Sequence, residues 1–266
     1  MKGLATATLS LALAGCGLVK KGSSCDLTAK NLRAEPWTGA GLPTNTLSLT
    51  FLRGPSETTA DIGTLLEQSG IQGSFFVRGA AAHEHQSTLH HLWEQGHIVG
   101  NGGYTFTALT HSHEPIVEVR KTDALITEDV TGNMFLFHAP EGAFSEELAD
   151  LFNHNGLGKY VGPIAPDTVA SDTFMDDAAC WDNDLSVSAC TQQYFSEIVR
   201  LQKGIIPFHD EDPRSLELLA ALLPDLSAFG FSFVRLDQIP ELRAVLEEAG
   251  STVDQVAGES SCDDYD

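Results

Sequence analysis

The side chains able to do chemistry in this 266-residue chain are few and unevenly placed. Ten histidines offer metal ligation or proton transfer near neutral pH. Four of them, His83, His85, His90 and His91, crowd one stretch. No H-E-x-x-H pattern sets two of them on a helical face with a glutamate base. The stretch reads as a helix ahead of a strand, away from the strand ends where parallel α/β folds keep their sites. It is expected to be a solvated face. No C-x-x-C pair is present, which argues against a zinc ribbon or a thioredoxin-like redox centre. Charge removes another class: 37 Asp+Glu against 15 Lys+Arg leaves a formal −22. Such a chain has no basic face for nucleic-acid phosphates, and anionic lipid does not attract it. At 42% hydrophobic and 20% charged residues, it has material for a real core.

The N-terminus carries an address. Lys2 precedes an unbroken run of small and apolar residues, Leu4 to Ala14. That run is about half of the roughly 20 residues a membrane-spanning helix requires, so residues 1–15 are expected to be a signal peptide. Leu13-Ala14-Gly15-Cys16 resembles the bacterial lipobox, in which cleavage precedes the Cys and the Cys is lipidated. The mature chain would begin at Cys16 and hang from a membrane by acyl chains. Cys25, Cys180, Cys190 and Cys262 remain, an even number in a compartment where disulfides persist. Of the possible pairings, Cys180–Cys190 (a short local loop) and Cys25–Cys262 (tying the ends of the domain) are expected.

Strand and helix alternate along the rest. Thr46 to Phe51 alternates with period two, a strand signal. Further strands are expected at Gly73–Val77, Ile98–Gly100, Met134–Phe137, Tyr160–Gly162, Gly204–Phe208 and Ser232–Val234. Helices are expected from Ser56 to about Ser69, Ala80 to Gln95, Pro115 to Thr131, after Ser145, Tyr194 to Lys203, after Asp212, and Ile239 to Ala249. Ser145 caps two first-turn glutamates, and Asp212-Pro213 is an N-cap followed by a proline at the first helical position. Leu216, Leu219, Ala220 and Leu223 give that helix an apolar stripe. The alternation asks for a mainly parallel sheet covered by helices, open or closed into a barrel. Either way, the loops after the strands' C-terminal ends are where a site belongs.

Several of those loops resemble one family. Thr50-Phe51-Leu52-Arg53-Gly54-Pro55 resembles the opening T-F-D-D-G-P of the polysaccharide deacetylases with the NodB-homology domain, carbohydrate esterase family four. Gly96-His97-Ile98-Val99-Gly100-Asn101-Gly102-Gly103-Tyr104-Thr105-Phe106 resembles the family's G-H-E-I-G-N-H-T-Y-T-H, and Phe137-His138-Ala139-Pro140-Glu141-Gly142 its F-R-P-P-Y-G. Asp176-Asp177-Ala178-Ala179-Cys180-Trp181 looks like a degraded Asp-and-Trp loop, and Gly204-Ile205-Ile206-Pro207-Phe208-His209-Asp210 resembles the final G-x-x-x-L-H-D. The match runs from about residue 45 to 242. The resemblance implies an α/β fold, a distorted, incomplete (β/α) barrel. It implies a zinc-type ion held by one Asp and two His, a second Asp as base, and a His that protonates the leaving amine. A metal lowers the pKa of bound water from 15.7 to about 7.

The frame of each motif is kept while its chemical residues are replaced. The resemblance sets Leu52 at the base, Arg53 at the metal Asp, and Gly102 and Phe106 at the metal His positions. His138 stands for the Arg of the third motif and Glu141 for its Tyr; His209, beside Asp210, survives. His209 and Asp210 are therefore the expected catalytic-type residues. Arg53, Phe106, His138 and Trp181 are the expected substrate contacts, with no metal. Arg53 is expected in the former metal space, paired with a carboxylate such as Asp210 or with a sugar carboxylate; the alternative is a solvent-facing side chain. Trp181 would stack on a sugar or pack under the Cys180–Cys190 loop, and Tyr104 is expected to pack in the core. A substitute set for zinc or a similar divalent ion would draw on His111, His113, His138 and His209.

These readings give four segments: a lipoprotein signal peptide at 1–15, a tether leading into the domain at 16–44, a NodB-like domain at 45–243 and an acidic tail at 244–266. The expected function is non-catalytic binding of polysaccharide or peptidoglycan, or scaffolding, at a bacterial cell envelope. The protein would be lipid-anchored and face the periplasm or exterior. The alternatives are a hydrolase of carbon–nitrogen bonds with a rebuilt metal site, and a structural envelope protein.

Overall fold

The computed structural model describes residues 31–126, 131–132, 134–167 and 175–249. The signal peptide, Cys16 and the Cys25–Cys262 pairing lie outside those residues. The strands are β1 (Leu32–Trp37), β2 (Thr46–Leu52), β3 (Ser74–Val77), β4 (Ile98–Asn101), β5 (Gly162–Ile164), β6 (Lys203–His209) and β7 (Ser232–Phe233). The helices are α1 (Glu57–Gln68), α2 (Gly79–Ala82), α3 (Gln86–Glu94), α4 (Pro115–Asp123), α5 (Glu146–Phe152), α6 (Asp177–Asp182), α7 (Val187–Leu201), α8 (Pro213–Phe229) and α9 (Pro240–Glu248).

The main sheet runs β4-β3-β2-β6, all parallel, and β7 pairs with the first two residues of β2. Every residue of β2 is buried. Leu47, Leu49 and Phe51 join one core with Ile62 and Leu66 of α1 and Leu218 and Leu222 of α8. Leu52 joins a second core with Phe76, Ile98, Leu136, Val161 and Ile205. The period-two alternation thus separates two buried faces, not a wet face from a dry one, as expected where helices cover a parallel sheet. Single bridges carry the sheet onward, Asn101 to Phe137 and Leu136 to Val161, and β5 pairs with β1. Among the described residues the two sheets are not joined by a ladder; Asp167 bridges them. Its amide donates to the Ile205 carbonyl at 2.9 Å, and its Oδ2 accepts from Ile205 N at 2.8 Å and Gly39 N at 2.6 Å. With these few bonds in place of a strand ladder, the barrel stays open, the incomplete (β/α) barrel that the resemblance implied.

Caps set the helix starts. Ser56, Ser145 and Asp212 each accept a backbone N–H of the first turn, as their side chains predict. Several expectations are corrected. The helix expected over Ala80–Gln95 breaks at His83–His85, so that Ala82 and Leu89 both reach the core. The helix from Pro115 ends at Asp123. Met134–Phe137 makes only single bridges. α7 starts at Val187, well before Tyr194, because Ser186 caps it. The stripe of α8 is Leu218, Leu219, Leu222, Leu223 and Leu226, while Ala220 is exposed. So leucine-rich a helix fits two stripes, and packing against both α1 and α7 selects one. The tether expected up to residue 44 contains β1, whose Leu32 is buried, and α9 runs through the expected boundary at 243 with Leu246 buried.

Candidate functional site

Parallel register sets Leu52 level with Phe76 and His209, Val77 with Asn101, and Asn101 with Phe137. Arg53, Gly102, His138 and Asp210 therefore leave the barrel at one end. There Arg53, Phe106 and His138 form a column. The Arg53 guanidinium lies 5.8 Å from the Phe106 ring centroid, and that ring stacks on the His138 imidazole at 6.0 Å and 20°. Arg53 and Phe106 both hold left-handed backbone, φ +72° and +64°. For a non-glycine residue that costs on the order of 1 kcal/mol. Neighbouring bonds fix the first corner: Gly54 N–H donates to Asp210 Oδ1 at 2.8 Å, and the Gly54 carbonyl accepts from Arg78 N at 2.6 Å.

The expected Arg53–Asp210 pair is not formed. Arg53 meets Glu211 through one nitrogen at 3.4 Å, both side chains being 38% exposed. Asp210 is spent elsewhere, accepting from Gly54 N–H and, at 2.7 Å, from the Thr59 hydroxyl. A Cβ on Gly54 would collide with its carboxylate. Burial raises its pKa to about 6 against those hydrogen bonds. Asp210 is thus a positioning residue for the Arg53 loop, a correction to its expected catalytic role.

His209 keeps a built environment. Its Nδ1 donates to Asp177 Oδ1 at 2.7 Å, and its amide reaches the same carboxylate at 3.1 Å. Ser215 Oγ donates to Asp177 Oδ2 at 2.5 Å and accepts from Trp181 Nε1 at 3.3 Å. Asp177 is completely buried, and this chain of bonds fixes the orientation of the His209 ring. His138 donates from Nδ1 to the Ile164 carbonyl at 2.8 Å. Burial lowers its pKa to about 4, so it is a neutral imidazole. Two imidazoles and one guanidinium stand at this end of the barrel.

Trp181 is corrected as a sugar platform. It is 6% exposed, belongs to the core, and carries the Arg214 guanidinium 4.8 Å from its ring. It packs beside the Cys180–Cys190 disulfide, which forms as expected. Among the described residues, one group of three His, Cys, Asp or Glu brings its ligand atoms within 4.8 Å: Asp176, Asp177 and His209. Asp177 already accepts from His209 and Ser215 there, so an ion would have to displace a satisfied network. His111 and His113 are exposed and do not join it, and His90 and His91 stand half-exposed beside Glu94. At the positions the resemblance aligns with metal ligands stand a guanidinium, a hydrogen and a phenyl ring, none with a lone pair to give. A Cβ at Gly102 would lie 3.0 Å from the carbonyl oxygens of Phe76 and Val77. Leu52, at the base position, is a core side chain. These residues do not fit the family's ion.

Asp177, Ser215, Glu211 and Thr59 escaped selection from the sequence. The Asp-and-Trp segment was the signal for Asp177; the others are ordinary loop and helix residues until the fold brings them to the site.

Comparison with known proteins agrees with this architecture. The polysaccharide deacetylase family model matches residues 40–159. The catalytic domain of a peptidoglycan N-acetylglucosamine deacetylase from Eubacterium rectale is 16% identical with a TM-score of 0.62, covering 76% of this chain and 92% of its own. The chitin deacetylase of the fungal pathogen Colletotrichum lindemuthianum is 19% identical at TM-score 0.60, over 74% and 88%. A peptidoglycan deacetylase from Bacillus subtilis is 20% identical at TM-score 0.59, over 78% and 95%. No curated protein sequence matches significantly. The chain has the NodB-type deacetylase fold, and the family resemblance carried by its motifs is supported over the matched residues.

Proposed function

We propose that this domain binds a cell-envelope glycan without hydrolysing it, from a lipid anchor at Cys16. One observation carries the reading: in the column Arg53–Phe106–His138, Arg53 and Phe106 stand where the resemblance sets a metal-binding carboxylate and imidazole, His138 stands for an arginine, and Leu52 replaces the base. A positioned base is worth about 10²–10⁴ in rate, and His209 alone does not generate hydroxide. Solved relatives of this fold are described as peptidoglycan and chitin deacetylases, which makes an envelope polysaccharide the natural ligand class. The lipobox-like Leu13-Ala14-Gly15-Cys16 supports an acyl chain as the means of attachment.

The purified protein, assayed for zinc content, for acetate release from chitooligosaccharide, and for retention on insoluble peptidoglycan and chitin, tests this. Retention with neither bound zinc nor acetate is the expected result; stoichiometric zinc with acetate release overturns it. A second reading, a deacetylase with a rebuilt site, draws on the His209–Asp177 pair at 2.7 Å, which remains arranged to deliver a proton. Labelling of the expressed protein with an acyl-chain analogue, lost in Cys16→Ser, tests the anchor.

A further inference from the structure

Arg53 is one of 15 basic residues in a chain of formal charge −22, and its fork is almost unused. Its one ionic contact, Nη1 to Glu211 at 3.4 Å, is longer than the roughly 2.7–2.9 Å of a charge-assisted bond, and both partners are partly exposed. Among the described residues no acceptor takes its remaining donors. The Phe106 ring lies against the guanidinium, which orients the fork without consuming its hydrogens. The same backbone corner adds Arg78, whose amide holds Gly54 and whose buried Nε has no acceptor among the described residues. At this corner the Arg53 guanidinium meets one loosely held carboxylate.

We infer that this end of the barrel selects a carboxylate-bearing sugar. The sugar carboxylate would pair with Arg53 in the place that Glu211 loosely occupies. A planar monoanion matches the fork in two parallel bonds, and the acidic surroundings weigh against more highly charged anions. The inference rests on the glycan-binding reading and narrows it.

Calorimetric titration at low salt measures it, using an N-acetylmuramic-acid disaccharide and a digalacturonate, each beside its methyl ester. At least one acid is expected to bind tenfold or more tightly than its ester. Glu211→Gln should tighten the acid severalfold and leave the ester unchanged, since it removes the competitor. Arg53→Gln should bring acid and ester level, with circular dichroism confirming that both variants fold. Equal binding of acid and ester in both pairs overturns the inference and leaves glycan binding standing. An acid preference that survives Arg53→Gln overturns the assignment to Arg53. No binding of any of the four sugars removes the glycan reading as well.

Discussion

At the scale of single residues, Asp177 is the group on which most depends. Its carboxylate serves the His209 imidazole, the His209 amide and the Ser215 hydroxyl, all in a buried place. Truncation leaves those donors without an acceptor, which costs far more than a surface hydrogen bond. Asp177→Ala is expected to lower stability by about 3–5 kcal/mol in urea unfolding, and Asp177→Asn to recover part of the loss. An unchanged midpoint for the alanine variant would show that the network is idle. Arg53 teaches the opposite lesson. Its odd position was plain from the motif, but its partner was not, because Asp210 and Glu211 are adjacent in sequence and only the β6 exit angle decides which one faces it.

At the scale of elements, α6 is six residues long, too short to be stable alone, yet it carries Asp177. The Cys180–Cys190 disulfide ties it to α7, and both half-cystines are buried. Closing a loop of sequence separation 10 is worth about 2–3 kcal/mol in chain entropy. The double variant Cys180→Ala/Cys190→Ala is expected to lose about that much and to shift the His209 imidazole resonances, since α6 gains freedom. A variant with unaltered stability and spectrum would detach the disulfide from the site. Local chemistry made most elements legible: Ser56, Ser145 and Asp212 caps, and the Gly70, Gly96 and Gly230 turns, whose φ values are positive. β1 was missed because its exposed pattern earns no strand signal; it is a strand through pairing with β5.

At the scale of the whole molecule, buried titratable groups set the response to acid. His97, bonded to Gly73 N and the Gly63 carbonyl, and His138 are folded as neutral imidazoles, each lowered by burial to about 4 from 6.5. The unfolded chain takes up those protons first, so their contribution is present above pH 6.5 and is lost as pH falls toward 4. Asp210 acts in reverse. Raised from 3.8 to about 6, it favours the folded state at low pH, and that contribution fades as pH rises through 6. At about 1.4 kcal/mol per pH unit, each group is worth roughly 3 kcal/mol at most, so two histidines outweigh one carboxyl. Stability should therefore drop between pH 6.5 and 4, by roughly 3 kcal/mol. Asp210→Asn should steepen the drop. Urea midpoints at pH 7, 5.5 and 4 read both effects, and a flat profile would show that these groups are hydrated in the folded protein.

The sequence by itself determined the alternating α/β architecture, the helix caps, the Cys180–Cys190 pair, and that Arg, Gly and Phe stand at residues 53, 102 and 106. These follow from periodicity, local hydrogen bonding and side-chain type, which act over a few residues. Tertiary structure alone decided that Trp181 is core, that Asp210 holds Gly54 while Glu211 meets Arg53, that Asp177 and Ser215 orient His209, and that Asp167 bridges the two sheets. Each of these joins residues from different strands and helices, and strand register and helix packing, which no local pattern encodes, set which side chains come within hydrogen-bonding distance.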